Sequence, residues 1–333
     1  MGEAGVALSA DANSAYWNAS KLPFAQKDFG VSATYTPWLR NLTDGIWLGY
    51  ASVYKKLGEK QAVAVSVNYF TNKEGLPVAP MTFSRSRDLA LNATYARQFG
   101  KNFSIGLTLK YISSNAPDDP RLAYVSLKPA RVVAGDISAY YRKQSKNDVT
   151  GSDLTWSFGT VLSNLGGKIN YRSGTEARFI PTNIKLGGGL SYTADGRNCF
   201  SVILDASKLM VPTPQAGMNV NTKATLSGIF GSFSDAPGGL REEVQEMTWS
   251  GGVEYKYKNM LALRGGYFGE SKYKGGRKYF TTGAGVRFLK SYDVDFSYLF
   301  PLVHGSPLPQ TFRISLSVYL DTKKRISGAK KKI

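Results

Sequence analysis

The chain carries one histidine, His304, in the segment PLVHGSPLP, and one cysteine, Cys199. Nucleophilic hydrolysis needs a positioned nucleophile with a base in reach, and no GxSxG elbow accompanies that histidine. A lone cysteine excludes an intramolecular disulfide framework, and with no CxxC or Cys/His cluster the sequence offers no zinc site. The glycine runs at Gly187 to Gly189 and Gly238 to Gly239 lack the Lys-Ser/Thr that completes a phosphate-binding loop. Acidic pairs at Glu242–Glu243 and Asp118–Asp119 fall in connections, so no carboxylate pair is placed for acid–base work. The expectation is a protein without enzymatic activity and without cofactors.

The elements that position these residues follow from a period of two. Gln61 to Phe70 read QAVAVSVNYF and Asn102 to Ile112 read NFSIGLTLKYI, alternating apolar with small or polar positions. Strands with one face in lipid and the other in a polar lumen satisfy every backbone N–H and C=O only in a closed barrel. With 42% hydrophobic residues and a mean hydropathy of -0.24, the chain has no run of eighteen apolar residues, which excludes a helical membrane protein. A soluble sandwich or propeller would bury the same alternating faces, but the many aromatics near strand ends, 20 Tyr among them, suit interfacial girdles.

Runs of this kind begin near Gly30, Ile46, Gln61, Arg87, Asn102, Arg131, Asp153, Asn183, Arg197, Glu246, Met260, Lys278, Tyr292 and Thr311. They predict an all-β fold, a 14-stranded antiparallel transmembrane barrel over 30–320. The connections LGEK, FGKN, ADGR, KYKN and LKSY are brief, and KQSKNDVTGS is somewhat longer. The intervening ones are mostly longer, among them EGLPVAPMTFSRS and 207–245. That alternation predicts an integral outer-membrane protein of a Gram-negative cell with both termini periplasmic. Residues 1–29, irregular yet apolar, are expected to fold into the barrel as a hatch, and 321–333 to form a basic periplasmic tail. The opening MGEAGVALSADANS has no basic start or apolar core of a secretory signal, so the numbering is expected to begin within or after a processed N-terminus.

Parity assigns faces. Phe312, Ile314, Leu316, Val318 and Leu320 should meet lipid, while Arg313, Ser315, Ser317 and Tyr319 face the lumen. By the same parity Lys110, Asp136, Lys185, Asp205, Glu254, Lys256, Arg264, Arg287, Asp293 and Asp295 point inward, where mixed signs favour mutual pairing over an ion-selective ring. The formal charge of +18 is spread over turns, loops and lumen positions apart from the terminal KKRISGAKKKI. Anionic lipopolysaccharide and acidic partners, rather than nucleic acid, are the expected counterparts.

Partner recognition is expected in the outer connections. The ninth places Leu209, Met210, Val211, Met218, Leu226, Ile229, Phe230 and Phe233 in a segment predicted to face water, marking a binding surface or a fold over the barrel mouth. YTPWLRNL puts Trp38 and Arg40 at a strand end, as an interface anchor or an aromatic belt.

The opening GVALSADANSAYWNAS, the string YTPWLR, the closing SYLFPLV…SPLPQTFRISLSVYL and the strand count together resemble the PorV family, outer-membrane barrels of the type IX secretion system in Bacteroidetes. YTPWLR favours that family over the sister PorQ barrels. The family belongs to the FadL-type barrels, whose N-terminal segment forms a hatch. Such hatches often carry Asn-Pro-Ala where this chain has Asn18, Ala19 and Ser20, so the proline's fixed φ is missing. The resemblance implies a shuttle that binds cargo C-terminal signal domains leaving the large translocon barrel. It would deliver them to the cell-surface attachment complex, whose sortase-like PorU component links cargo to lipopolysaccharide. The competing readings are a FadL-like transporter of long-chain hydrophobic ligands and a lipopolysaccharide-modifying enzyme.

Overall fold

The computed structural model describes residues 1–40, 45–79, 82–115, 128–147, 149–171, 176–215, 217–306 and 308–321. The acidic pair Asp118–Asp119 and residues 322–333 of the expected basic tail lie outside them. A short helix, α1 (Ser14–Trp17), and a 3-10 turn over Ala19–Phe24 precede the strands. The strands are β1 (Phe29–Pro37), β2 (Ile46–Lys56), β3 (Gln61–Ala79), β4 (Thr82–Phe99), β5 (Phe103–Asn115), β6 (Ala130–Asn147), β7 (Ser152–Gly166), β8 (Lys168–Ile169), β9 (Arg178–Phe179), β10 (Asn183–Thr193), β11 (Asn198–Leu209), β12 (Met247–Tyr257), β13 (Leu261–Gly269), β14 (Lys278–Phe288), β15 (Tyr292–Pro301) and β16 (Phe312–Leu320). β8 and β9 form a separate two-stranded sheet, and the other fourteen close into an antiparallel barrel. Val31 of β1 pairs with Val53 of β2 on one side and Val318 of β16 on the other, which seals the ring.

Thirteen of the fourteen predicted starts fall within one residue of the observed strand. The exception is EGLPVAPMTFSRS, expected as a long loop. Backbone pairing continues there through Leu76↔Ser84 and Pro77↔Phe83, with register shifts on either side. β2 ends opposite Asn72, so Pro77 sits on an edge where its missing N–H breaks no ladder.

Parity holds around the ring. Ile314, Leu316 and Leu320 are exposed, whereas Ser315, Ser317 and Tyr319 are buried. The outward row ends in aromatics at both rims. Tyr35, Trp47 and Tyr69 form a chain at the long-loop rim, with ring centroids 5.7 and 5.2 Å apart. Phe200–Tyr255 and Phe288–Tyr292 do the same at the short-turn rim, at 4.8 and 5.4 Å. On β14, Phe280 and Phe288 mark both girdles. Eight residues of rise give about 27 Å along the strand, or about 20 Å along the barrel axis at a tilt of about 40°, which matches a thin hydrocarbon band.

The inward face is lined by hydroxyls that bond one another, as Thr94 with Thr108 and Thr34 with Ser315, both at 2.8 Å. Its charges pair as expected. Lys110 meets Asp136 at 2.8 Å, Lys256 and Arg264 each meet Glu254 at 2.7 Å, Arg264 also reaches Asp295, and Arg287 grips Asp293 at 2.6 Å. Lys185 lies over the Trp17 ring at 5.6 Å.

Turn chemistry leaves a local conflict between β14 and β15. The β14–β15 turn places Leu289 (φ 51°) and Lys290 (φ 59°) in the left-handed region, where a Cβ costs about 1–2 kcal/mol per residue. Leu289 is exposed and gains no packing in return. Replacing the pair by Asn-Gly is expected to stabilise the barrel by about 1–2 kcal/mol, read as a higher urea midpoint in lipid vesicles. An unchanged or lower midpoint contradicts this account of the turn.

Candidate functional site

Two regions gather polar and aromatic side chains: the inward face with the N-terminal segment, and the long-loop rim. In the first, strands on every side of the ring hold residues 1–25. Asp205 of β11 accepts the N–H groups of Gly5 and Val6 at 2.7 and 3.0 Å. Thr281 of β14 accepts from Gly2 at 2.9 Å. Ser157 of β7 donates to the Ala7 carbonyl at 2.7 Å, Ser52 of β2 to Ala12 at 2.8 Å, and Ser104 of β5 to Ser20. Asn18 spans two elements, donating to the Val6 and Ala139 carbonyls at 3.1 Å each. The segment fits because the opposed residues Gly159 and Gly187 leave a notch for Val6. A Cβ added at either glycine would lie within 2.9 Å of a Val6 atom. Beside the segment remains a cavity of about 480 Å³, lined by Tyr16, Trp17, Tyr50 and Phe70 and by the Arg264, Asp295 and Arg313 charges.

At the rim, the connection from β11 to β12 is a docked structure. α2 (Thr225–Gly231) packs Gly228 against Phe179 of β9, and the Lys168 ammonium of β8 lies over that ring at 4.4 Å while donating to the Asn221 and Lys223 carbonyls. α3 (Leu240–Gln245) starts after Gly239, whose φ of 65° suits a residue without a Cβ. Its carboxylates fix the connection to the barrel. Lys208 of β11 donates to Glu243 at 2.7 Å and Glu246 at 2.6 Å, and Lys274 donates to Glu242 at 2.6 Å and Glu246 at 2.9 Å. Thr213 adds a bond to Glu246 at 2.9 Å, and Glu243 accepts from the Ala236 N–H at 2.9 Å.

Burial alone would raise the Glu246 carboxyl, but the Lys208, Lys274 and Thr213 donors hold it below its ordinary range. Desolvation works against the Lys274 ammonium, yet Glu242 and Glu246 raise it above its ordinary value.

The predicted partner residues divide. Leu226 and Phe230, four apart on one face of α2, are 65% and 59% exposed, and Phe233, Met218 and Leu209 are also exposed. Met210 and Ile229, expected to face water, are instead buried at 2% and 1%. Met210 is tied down by its N–H to the Thr182 carbonyl at 2.7 Å, and Ile229 lies on the packed side of α2 beside Gly228. Leu209 ends β11 rather than opening the connection. Trp38 is half-buried and turns inward against Phe268, Tyr279, Leu299 and Leu308, so it is neither a belt residue nor an open anchor. Arg40 is exposed beside a small groove with Tyr35, Trp47 and Phe312. The Lys208 cluster was not anticipated. The signal was a lysine continuing the outward row Val202, Leu204, Ala206, followed by REEVQE before the next strand. Among the described residues no group of three His, Cys, Asp or Glu could hold a metal ion.

Comparison with known proteins agrees with this architecture. The family model "Type IX secretion system protein PorV" matches residues 1–216. No curated protein matches. The Pseudomonas putida toluene transporter TodX aligns with a TM-score of 0.57 at 12% identity, over 96% of this chain and 97% of that one. The CymD monoaromatic hydrocarbon channel aligns at 0.52 with 14% identity over 95% of each chain. These two likenesses show the same fold.

Two predictions arise. Asp205→Ala orphans two buried N–H groups and is expected to loosen residues 1–8 by about 2–3 kcal/mol, seen as faster amide exchange there with the barrel intact; unchanged exchange contradicts the anchoring role. The Glu246 carboxylate, depressed in the folded state, stabilises the docked connection fully above its ordinary value of 4.5, and that contribution is lost as pH falls below it. Raised Lys274 contributes fully below 10.5 and loses its contribution above. Proteolysis within 210–246 is therefore expected to be flat between those limits and to accelerate below 4.5.

Proposed function

The chain belongs to the PorV family of the type IX secretion system, and we propose that it serves there as a shuttle. It binds C-terminal signal domains of cargo leaving the large translocon barrel and delivers them to the attachment complex with its sortase-like PorU component. In this reading the long-loop rim faces outward, both termini face the periplasm, and residues 1–29 act as a hatch. The barrel itself carries out no chemical step, and its positive charge suits an anionic lipopolysaccharide surface.

The observation that supports it best is the exposed pair Leu226 and Phe230 on α2, with Phe233 beyond it. Large apolar side chains held out on a connection pinned by four ion pairs form a preorganised anchor for a protein partner. The paired charges of the lumen support a closed interior, since a free passage would have to break them.

A FadL-like transporter of long-chain hydrophobic ligands is the second reading, favoured by the cavity of about 480 Å³ and its aromatic wall. Labelled fatty acid uptake that disappears with the gene would establish it.

Replacing Leu226, Phe230 and Phe233 together by Ser is expected to lower recovery of cargo and translocon in pull-downs from outer membranes about tenfold or more. Full recovery with a barrel that still shows heat-modifiable migration rules out this surface.

A further inference from the structure

Lys208 occupies an unusual place. On β11 the outward, lipid-facing row runs Phe200, Val202, Leu204, Ala206 and then Lys208, and Lys208 pairs across the sheet with Ile184 and Met247 of the same row. Leu204 is 67% exposed, as a side chain against lipid is. Lys208, two steps further along, is buried, with its ammonium held by Glu243 and Glu246. The carboxylates that neutralise it come from α3 and its C-cap residue Glu246, which lead directly into β12. α3 therefore sits at the outer margin of the rim, above the lipid-facing wall rather than over the lumen mouth.

Its height follows from the register. Met247, opposite Lys208, precedes Trp249 by two residues, and Trp249 is an exposed aromatic of the outward row. Two residues of rise along a strand tilted by about 40° come to about 5 Å. That is the depth of headgroups and upper acyl carbons, where amphipathic helices lie flat.

The helix has the faces this position requires. Glu242, Glu243 and Glu246 turn toward Lys208 and Lys274. Leu240 and Val244, four residues apart on the other side, are 83% and 57% exposed. Arg241, also exposed, lies beside them, where an anionic headgroup is its natural counterpart. Leu240 and Val244 project from a helix whose anchor, Lys208, belongs to the outward row of the wall.

We propose that α3 is an interfacial foot: Leu240 and Val244 insert into the membrane leaflet at the long-loop rim, and the Lys208–Glu243–Glu246 cluster holds the helix in that plane. The occupant is lipid, argued from continuity with the lipid-facing wall. The proposal requires the membrane setting of the barrel but not the shuttle role. A partner at Leu226 and Phe230 would then meet a connection fixed to both barrel and bilayer.

The test uses the full chain in nanodiscs of phosphatidylethanolamine and phosphatidylglycerol. Single nitroxide labels are placed by Leu240→Cys and Val244→Cys in a Cys199→Ser background. Leu204→Cys serves as lipid reference and Val149→Cys, on an exposed turn at the other rim, as aqueous reference. Collision with oxygen is expected to exceed collision with a nickel chelate severalfold at 240 and 244, as at 204. Adding Lys208→Ala is expected to shift both labels toward the Val149 values while the Leu204 label stays unchanged. Aqueous values at 240 and 244 in the parent protein overturn the proposal. So does shielding that appears only when a secretion partner is added, which would make this face a protein contact. Lipid-like values that persist with Lys208→Ala overturn the role of the cluster.

Discussion

Inside a hydrocarbon slab no water is on hand to bond a bare N–H or C=O, and that single shortage dictates the rest of the molecule. It forces the strands to pair until the last meets the first. Once the ring is closed, strict alternation sends every second side chain inward, so hydroxyls and charges collect in a confined interior where they too must find partners. The Arg264–Glu254–Asp295 and Arg287–Asp293 groupings and the hydroxyl pairs are the consequence. The N-terminal segment meets the same demand, offering its backbone to Asp205, Ser52, Ser104 and Ser157.

The rim answers a different requirement. Past the girdles water returns, and the chain can build irregular structure whose shape is set by side-chain bonds rather than by a ladder. The β11–β12 connection uses acidic residues near its end to hold two lysines from different strands and loops, so its apolar residues sort into those packed below and those presented above. The same sorting separates Ile229 from Phe230, adjacent in sequence and opposite in burial.

Much of this was legible from residue order. Period-two alternation located the strands, parity put Asp205 and Arg264 inside, and short turns such as ADGR stood apart from the long connections. What failed had local or remote causes. EGLPVAP reads as a loop because Gly75 and Pro77 are turn formers, yet an edge strand tolerates both. Met210 and Ile229 read as water-facing in the sequence because linear hydrophobicity in a non-periodic segment does not reveal which side chains pack. The bond between Lys208 and Glu243 spans 35 residues without a repeating pattern to announce it. Trp38, read as a strand-end anchor, turned inward because four apolar side chains from elements far along the chain create its pocket.

The pairing of β1 with β16 closes the wall around residues that are themselves bonded to it. Residues 1–25 bond strands from β2 to β14 inside a ring closed by that seam, so wall and leading residues share one network: stripping the segment away would leave the Asp205 carboxylate and the Ser52, Ser104 and Ser157 hydroxyls without these partners.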